Sequence, residues 1–439
     1  MSTEELPFKW SSIALSAFLP TLLFSTGEGA IIPIVPTIAH SMGAQLAIAG
    51  LIASMIMVGE AFGDIPSGWL VARIGERSSM IGAAFVAVIG LAVSTFAPNT
   101  FVLGVGILIV GLSTAVFALA RHAFMTSFVP QRYRARALST LGGTFRCGYF
   151  VGPFIAAGVI NLTGHASSVF WIDIVGCLGA AIVLLVVKDP SEALGAARAV
   201  HTARAAHHAS ARNDAAELDA GREFVAAESH GLFQTIWANR GVLGRLGTGA
   251  GLIGAIRASR QVILPLWAVS IGIGDSNTAL IIGIAGAIDF ALFYSSGQIM
   301  DRFGRLASAL PSMIGLGLGL IVLSFSHNLP GNVVWFIGIA MFLSLANGIG
   351  SGILMTLGSD LADKRNPAPF LGAWRFTGDV GSAAAPLLVS LLTAVASLAI
   401  ASGVIGVLGL VGAGLLWRYV PRYIPRTVRK PAPKPKPAI

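Results

Sequence analysis

Long apolar stretches, separated by short polar connections, recur along almost the whole chain of 439 residues. A helix needs roughly 20 mostly apolar residues to cross the bilayer core, and these stretches have about that length. Short segments of alternating character, which would indicate a membrane barrel, do not occur in the sequence. The pattern predicts an all-α polytopic membrane protein with twelve transmembrane helices. They fall near residues 11–40, 46–70, 80–98, 101–128, 138–162, 169–187, 241–269, 278–299, 309–327, 333–358, 371–394 and 397–419.

Composition and charge support this class and orient the chain. Hydrophobic residues make up 55% of the sequence and charged residues 11%, where a soluble chain would have about 25% charged residues. Lys and Arg are absent from the odd-numbered connections between helices, and most lie in the even-numbered connections and the two tails. The positive-inside rule therefore predicts a multi-pass protein of the inner or plasma membrane with both termini in the cytoplasm. The net charge of +9 then reflects topology and attraction to lipid, so we expect no nucleic-acid partner.

Two short stretches of the chain resemble each other, GWLVARIGER at Gly68–Arg77 and GQIMDRFGRL at Gly297–Leu306. Their separation of 229 residues also relates Pro36 to Pro265, Glu60 to Asp289, Arg146 to Arg375, and Gly152 to Gly381. A constant offset over several helices indicates a duplicated six-helix unit. Because each unit has an even number of spans, the two copies share one orientation and are related by an axis along the membrane normal.

The duplication divides the chain into four segments. We predict an N-terminal six-helix half at 1–187, a cytoplasmic central loop at 188–240 and a C-terminal six-helix half at 241–419. Residues 420–439 form a basic, Pro-rich tail, which we expect to be cytoplasmic and near lipid headgroups.

The repeated stretch carries a resemblance to a known family. Gly297, Asp301, Arg302, Gly304 and Arg305 complete a G-x-x-x-D-R-x-G-R signature, and with six plus six spans the chain resembles the major facilitator superfamily. The first copy keeps Gly68, Arg73 and Gly75 but has Ala72 in place of the acid and Glu76 in place of the second base. The stretch GYFVGPFIAAG, with Gly148, Gly152 and Pro153, resembles a motif of the antiporter branches, although Ala156 and Ala157 replace its closing glycines. The resemblance implies a twelve-span, drug-efflux-like transporter that works by alternating access.

Ionisable residues inside the spans are the strongest functional signal, because each costs on the order of 3 kcal/mol or more unless it is paired or hydrated. Structural ion pairs between helices are the alternative explanation. We predict that the proton-coupling and cavity residues are Glu28, Glu60, Asp64, Asp289, Arg257 and Arg121. Glu60 and Asp64 share one helix face, and two close carboxylates in a poorly hydrated site do not both ionise easily. A proton-coupling site needs this property.

The repeat also predicts a pairing, because Glu28 in span 1 and Arg257 in span 7 occupy equivalent positions. The family resemblance implies that these two spans face each other across a central cavity. We therefore expect Glu28 and Arg257 to form an ion pair across it.

The signature loops predict a gate formed by Gly68, Arg73, Gly75, Gly297, Asp301, Arg302, Gly304, Arg305, Arg146, Arg375 and Asp379. An acid such as Asp301 can accept hydrogen bonds from the first N–H groups of a neighbouring helix. By resemblance its partner is the cytoplasmic end of span 5, near Arg146. Ala72 cannot do this, so we expect Asp64 to engage Arg375 instead, in competition with Asp379. The alternative is a basic turn that only determines topology.

The absence of certain motifs from the sequence argues against several classes of protein. The sequence contains no nucleotide-binding loop and no nucleophile–base motif, so we expect no enzyme activity and no cofactor, with a proton gradient as the energy source. His201, His207 and His208 fall in the central loop and indicate a solvated segment, so no metal site is predicted. We expect a monomer that exports a small amphipathic organic molecule and otherwise contacts membrane lipids. Import of a polar metabolite is the alternative, as is a non-transporting receptor or lipid-moving protein on the same scaffold.

Overall fold

The computed structural model describes residues 14–129, 131–187, 232–362 and 368–424. Within these ranges the chain has no strand and contains twelve helices long and apolar enough to cross a membrane, so the predicted fold class is confirmed. The predicted central loop up to residue 231 and the tail from residue 425 lie outside the described residues. The helices of the first half are Leu19–Ile31 and Val35–Ser41 (span 1), Leu46–Ile74 (span 2), Glu76–Thr95 (span 3), Thr100–Phe128 (span 4), Gln131–Thr163 (span 5) and Val169–Val186 (span 6).

Two short helices, Leu232–Ala238 and Arg240–Val242, precede the spans of the second half, and the first of them lies within the predicted central loop. Its spans are Thr248–Ser270 (span 7), Asp275–Phe303 (span 8), Leu306–Ser326 (span 9), Asn332–Ile349 and Ile353–Leu361 (span 10), Ala368–Val395 (span 11) and Leu398–Tyr423 (span 12). Several of these helices are longer than predicted, because a helix continues past the apolar stretch that marks the membrane core. Span 5, for example, begins in a polar and basic stretch.

The repeat offset of 229 residues reappears in the helix boundaries. Span 2 runs Leu46–Ile74 and span 8 runs Asp275–Phe303, so both of their ends are separated by this offset. A π-helical turn precedes the first long helix of each half, at Ala14–Phe18 and at Leu243–Gly247, again with the same offset. The two copies of the sequence therefore fold into equivalent helices, down to a turn of unusual geometry.

Glycines form the turns at both ends of the repeated helix. Gly75 ends span 2 with φ 84° and ψ 161°, and Gly304 ends span 8 with φ 91° and ψ 166°. This backbone region is open almost only to glycine, which explains why both copies keep the residue. Gly43 and Gly272 form the turns at the opposite ends, with φ of 90° and 75°. We name the two sides of the molecule the Gly75/Gly304 end, predicted to be cytoplasmic, and the Gly43/Gly272 end.

Two spans are interrupted where their repeat counterparts are continuous. Span 1 breaks at residues 32–34, whereas span 7 runs through the equivalent position. Span 10 breaks at residues 350–352, where Gly352 has φ 80°, and span 4 continues through the equivalent residues 121–123. Non-helical backbone at membrane depth is tolerated where it is buried in protein or lines a cavity, and its carbonyl groups can then accept hydrogen bonds from side chains.

The two halves meet mainly where span 2 packs on span 11 and span 5 packs on span 8. The rings of Phe150 and Phe290 stack with centroids 5.8 Å apart, in the middle of the second of these interfaces. Nearer the Gly43/Gly272 end, the hydroxyl of Ser276 donates to the carbonyl of Ala157 at 3.3 Å. The halves are therefore in close contact from mid-depth toward that end.

Candidate functional site

A cavity of about 490 Å³ lies between the two halves, and each half contributes half of its lining residues. Sites for small molecules typically have roughly 300–1,000 Å³. The charged lining residues are Glu60, Arg121, Arg146, Arg257, Arg260, Asp289 and Arg375. The aromatic lining residues are Phe145, Tyr149, Phe150 and Phe290. With five cationic and two anionic side chains, the wall carries a net positive charge beside an aromatic surface.

The two acids of the cavity wall lie at the same depth. Glu60 and Asp289 are each the fifteenth residue of a 29-residue helix, spans 2 and 8 respectively. At about 1.5 Å per residue, each is ~21 Å from either end of its helix. The predicted equivalence of these two acids at mid-depth is therefore present in the structure.

Asp289 is held by groups from three other helices. Its carboxylate lies 3.5 Å from a guanidinium nitrogen of Arg260 in span 7 and 3.7 Å from one of Arg146 in span 5. The side-chain amide of Asn347 in span 10 donates to it at 2.5 Å. Because Arg146 belongs to the first half and the other groups to the second, Asp289 links the halves at the cavity.

Two further contacts position the arginines of span 7. Arg257 donates to the carbonyl of Gly350, in the break of span 10, at 2.7 Å, and Arg260 donates to the hydroxyl of Ser344 at 2.8 Å. The Nε atom of each arginine is buried and has no hydrogen-bond partner among the described residues. Asp289 is the acid that interacts electrostatically with both. These side chains therefore retain unused donors beside the cavity.

Glu28 lies behind the cavity wall, although it was predicted to line the cavity. Its side chain is fully buried, and neither carboxylate oxygen has a hydrogen-bond partner among the described residues. Its cationic neighbour is Arg121, and Tyr149, Glu60 and Thr114 also lie next to it. Since all four neighbours line the cavity, Glu28 acts on the cavity electrostatically rather than by contact.

The predicted ion pair between Glu28 and Arg257 is absent from this structure, so that prediction is wrong for this conformation. The repeat explains why, because Arg121 in span 4 and Gly350 in span 10 also occupy equivalent positions. Glu28 interacts with Arg121, and Arg257 donates to the carbonyl of Gly350. Each of the two residues thus finds its partner at the equivalent place within its own half.

Arg375 in span 11 is engaged by two carboxylates. One guanidinium nitrogen lies 3.5 Å from Asp64 in span 2, and another lies 3.4 Å from Asp379 one turn along the same helix. The predicted contact of Arg375 with Asp64 and the predicted competition from Asp379 are both present. Arg375 lines the cavity, whereas neither acid does, so Asp64 belongs to the interface between spans 2 and 11 and not to the cavity wall as predicted.

The acid of the complete signature loop forms an ion pair within that loop. Asp301 lies 3.2 Å from Arg305 of its own loop, and its side chain is 82% exposed. Arg305 in turn binds Asp360 at 2.7 Å, and this hydrogen bond raises the pKa of the Arg305 guanidinium above its ordinary value. The side chains at the start of span 5, residues 131–136, lie outside the described residues, while Arg146 farther along span 5 is directed to Asp289.

The other signature residues occupy three settings. Gly75 and Gly304 form the turns, Gly68 and Gly297 lie inside spans 2 and 8, and Arg73 and Arg302 stack over the rings of Trp69 and Phe303 at 5.1 and 5.3 Å. Only the second glycine of each copy is therefore a turn residue. Stacking of this kind contributes about 0.5–1 kcal/mol at exposed sites, so it orients the arginines only weakly.

The antiporter-like motif forms a helix contact. A side chain at Gly148 would collide with Ser25, and one at Gly152 would collide with the backbone of residues 26–30 in span 1. Pro153 lines the cavity. The glycines of the motif thus serve the close approach of spans 1 and 5, and none of their contacts involves an ionisable group.

Several polar residues of the site were missed by the sequence analysis as site residues, and four of them are Tyr149, Arg260, Ser344 and Asn347. Spacing carries a signal for three of them. Arg260 follows Arg257 by three residues, and Asn347 follows Ser344 by three, so each pair lies on one face of its helix. Polar pairs at this spacing within otherwise apolar spans mark a face directed to a polar cavity rather than to lipid.

Comparisons with known proteins agree with this architecture. The sequence is 26% identical over 392 residues to the putative metabolite transport protein YncC of Bacillus subtilis, covering 78% of this chain and 81% of the relative. It is 26% identical over 152 residues to the galactose-proton symporter of Escherichia coli, covering 35% of this chain and 32% of that protein.

The fold is similar to the inward open conformation of the xylose transporter XylE from E. coli, with a TM-score of 0.68 and 16% sequence identity over 96% of this chain and 97% of that one. The sequence profile of the Major Facilitator Superfamily matches residues 17–386. A match over this much of the chain shows the family. The chain belongs to the Major Facilitator Superfamily, and it is a multi-pass membrane transporter of the secondary type and not an enzyme.

Proposed function

We propose that this transporter couples proton movement to the uptake of a small amphipathic organic molecule by alternating access. The observation that carries the proposal is the position of Glu60 and Asp289, one acid from each half, at equal mid-depth in the wall of one cavity. A carboxylate that faces such a cavity can exchange a proton with whichever side the cavity opens to. Ionisable groups at this depth mark ion pathways in membrane proteins.

The lining supports an amphipathic substrate. Tyr149, Phe150 and Phe290 offer ring surface, while the arginines and the two acids offer charged and hydrogen-bonding groups on the same wall. Ligand sites commonly combine an apolar lining with a few polar groups that determine orientation. A molecule with an apolar body and one polar or charged end fits this distribution.

Uptake with protons is favoured over the export expected from the sequence. Export was inferred from the antiporter-like motif, but the close contacts of Gly148 and Gly152 with span 1 give these glycines a packing role. One relative in the comparison is a galactose-proton symporter, which moves its substrate together with protons. Export remains the second candidate, because Pro153 of the same motif lines the cavity.

Transport by the purified full-length protein in liposomes tests the proposal. A hexose, an aromatic carboxylate and an aromatic amine are offered under an imposed pH gradient. Symport predicts accumulation when the outside is more acidic, and antiport predicts accumulation when the lumen is more acidic. This readout does not depend on the orientation in which the protein inserts.

Variants assign the coupling groups. Glu60→Gln and Asp289→Asn should each abolish accumulation driven by the gradient while preserving exchange of substrate for substrate. Arg422→Gln, at the end of span 12 and away from the cavity, is the matched control and should behave like the unmodified protein. Full gradient-driven accumulation by the Glu60→Gln, Asp289→Asn double variant would refute the assignment.

A further inference from the structure

We infer that the part of the cavity wall around Asp289 is an anion site, where Arg146, Arg257 and Arg260 bind a carboxylate or similar anionic group of the substrate when Asp289 takes up a proton. The inference rests on the proposed proton-coupled transport and specifies its substrate class, a small organic anion. It also specifies how the proton and the substrate are linked.

The first argument is the balance of charge around Asp289. Span 5 presents Arg146, span 7 presents Arg257 and Arg260, and span 10 presents the neutral amide of Asn347. Span 9, which also packs on span 8, contains no charged residue. Three cations thus surround one carboxylate. An anionic group of a ligand would bring this cluster closer to neutrality.

The second argument is the unused hydrogen-bonding capacity of the cluster. The Nε atoms of Arg257 and Arg260 are buried without a partner among the described residues. A buried donor that lacks an acceptor costs free energy, and a charged donor costs more than a neutral one. The guanidinium group has a planar set of donors that matches a carboxylate in a bidentate arrangement. Because both arginines line the cavity, a carboxylate bound there can accept from their guanidinium groups.

The third argument is that Asp289 already occupies the place of an anion. Its carboxylate lies 3.5 Å from Arg260 and 3.7 Å from Arg146, so it competes with any ligand carboxylate for both. A proton on Asp289 removes its charge and leaves the arginines to the ligand. Proton and anion therefore bind with positive coupling, and by reciprocity each raises the affinity for the other. This linkage is the one that symport requires.

The surroundings place the rest of the ligand. Phe150 follows Arg146 by one helical turn, Phe290 follows Asp289 directly, and the two rings stack at 5.8 Å. Both rings line the cavity. The wall around Glu60, in contrast, has a second acid, Glu28, behind it, with Arg121 as the neighbouring cation. An anionic group is therefore directed to Arg146, Arg257 and Arg260, with its apolar body against the aromatic pair.

Binding to the full-length protein in lipid nanodiscs tests the inference without any transport step. The probes are benzoate, its neutral amide benzamide, cyclohexanecarboxylate and inorganic phosphate, and the readout is the thermal unfolding midpoint at mildly acidic and at alkaline pH. A ligand that binds only the folded state raises this midpoint. We expect anions to stabilise the protein at acidic pH and benzamide to have little effect. If one proton is linked to binding, the apparent affinity for the carboxylate should fall by up to about tenfold for each unit by which the pH rises. A pH-indicator dye should show proton uptake when the carboxylate binds.

Variants separate the parts of the cluster. Arg260→Gln should lower carboxylate affinity at least tenfold, whereas Asp289→Asn should bind carboxylate with equal affinity at both pH values and without proton uptake. Arg422→Gln is the control and should match the unmodified protein.

Three outcomes would refute the proposed anion site. Benzamide could stabilise the protein as strongly as benzoate, no anion could stabilise it, or Arg260→Gln could bind benzoate with unchanged affinity. Should Asp289→Asn fail to fold, the absence of proton uptake by the unmodified protein would still refute the linkage. These failures differ from failure of the proposed function. If gradient-driven uptake in liposomes fails but the binding test succeeds, the anion site is still supported and only the proposed function is refuted.

Discussion

The guanidinium group of Arg375 lies 3.5 Å from the carboxylate of Asp64, across the boundary between the halves. The repeat places Arg146 at the position of Arg375 and Phe293 at the position of Asp64, and Arg146 lies over the ring of Phe293 at 4.8 Å. Equivalent arginines therefore make equivalent contacts at the two interfaces, Arg375 with a carboxylate and Arg146 with an aromatic ring. Of these two partners, only the carboxylate can lose its charge by taking up a proton.

The second acid that contacts Arg375 also has an aromatic residue at its equivalent repeat position. Asp379 lies 3.4 Å from Arg375, and its repeat counterpart is Phe150, which stacks on Phe290. Glu60 is a further acid that interacts with both Asp64 and Asp379. The interface of spans 2 and 11 is thus acidic, and the interface of spans 5 and 8 is largely aromatic.

This asymmetry predicts that acidification separates spans 2 and 11 at the Gly75/Gly304 end more than spans 5 and 8. When the charges of Asp64 and Asp379 are lost, Arg375 loses its ionic contacts with these two acids, whereas Arg146 keeps its contact with Phe293 even when Asp289 is neutral. Distances between spin labels at the ends of each pair of spans, measured at neutral and acidic pH, check the prediction. The Asp64→Asn, Asp379→Asn double variant should lose the pH response of spans 2 and 11 alone. Equal responses of both pairs in the unmodified protein would contradict it.

Asp289→Asn should lower thermal stability more than Glu60→Gln. Removal of the Asp289 charge leaves Arg260 buried without its counter-charge, and breaking a buried pair costs roughly 3–5 kcal/mol. Glu60 has Glu28, Asp64 and Asp379 as neighbours, so its neutralisation relieves repulsion and should leave stability equal or higher. Unfolding midpoints of the two purified variants in detergent decide the matter. The reverse order of midpoints would show that Arg146 and Arg260 do not depend on Asp289.

Gly152→Ala and Gly381→Ala should each destabilise the protein by about 1–3 kcal/mol or more, because overpacking forces backbone shifts. A Cβ at Gly152 would collide with span 1, and one at the equivalent Gly381 would collide with the backbone of Gly251 in span 7. Gly158 is the matched control, since it belongs to the same motif and a Cβ there meets no atom within 4 Å. Folded yield after extraction and the unfolding midpoint are the measurements. A Gly152→Ala variant as stable as Gly158→Ala would remove the packing explanation of the motif.

Exchange of the charges of Glu28 and Arg257 should not restore function. Each single change, Glu28→Arg or Arg257→Glu, damages a different half, because Glu28 interacts with Arg121 and Arg257 binds the carbonyl of Gly350. We therefore expect the double variant to transport no better than the worse single variant. Transport rates of the three variants in liposomes, corrected for the amount of folded protein, provide the test. Recovery above both single variants would mean that the two residues meet in another conformation of the cycle.

The sequence by itself determined the features that depend on local composition and on the repeat. Twelve apolar stretches, the offset of 229 residues, and the turn glycines Gly75 and Gly304 could all be predicted, because hydropathy and backbone geometry act over a few neighbouring residues. The equal depth of Glu60 and Asp289 followed from the offset alone. The contact between Asp64 and Arg375 could also be predicted from the repeat. Ala72 stands where the second loop has Asp301, so another acid, Asp64, was expected to engage Arg375.

The tertiary structure decided which charges meet. Glu28, Asp64 and Asp289 all lie within spans, yet the first lies behind the cavity wall, the second lies at an interface and the third faces the cavity between two arginines. The rotation of each helix about its axis determines this, and the break of span 10 adds a carbonyl acceptor at Gly350 that no side-chain pattern reveals. Helix rotation and a local break depend on packing against several other helices at once, so the pairing of these groups appears only when all of the helices are in place.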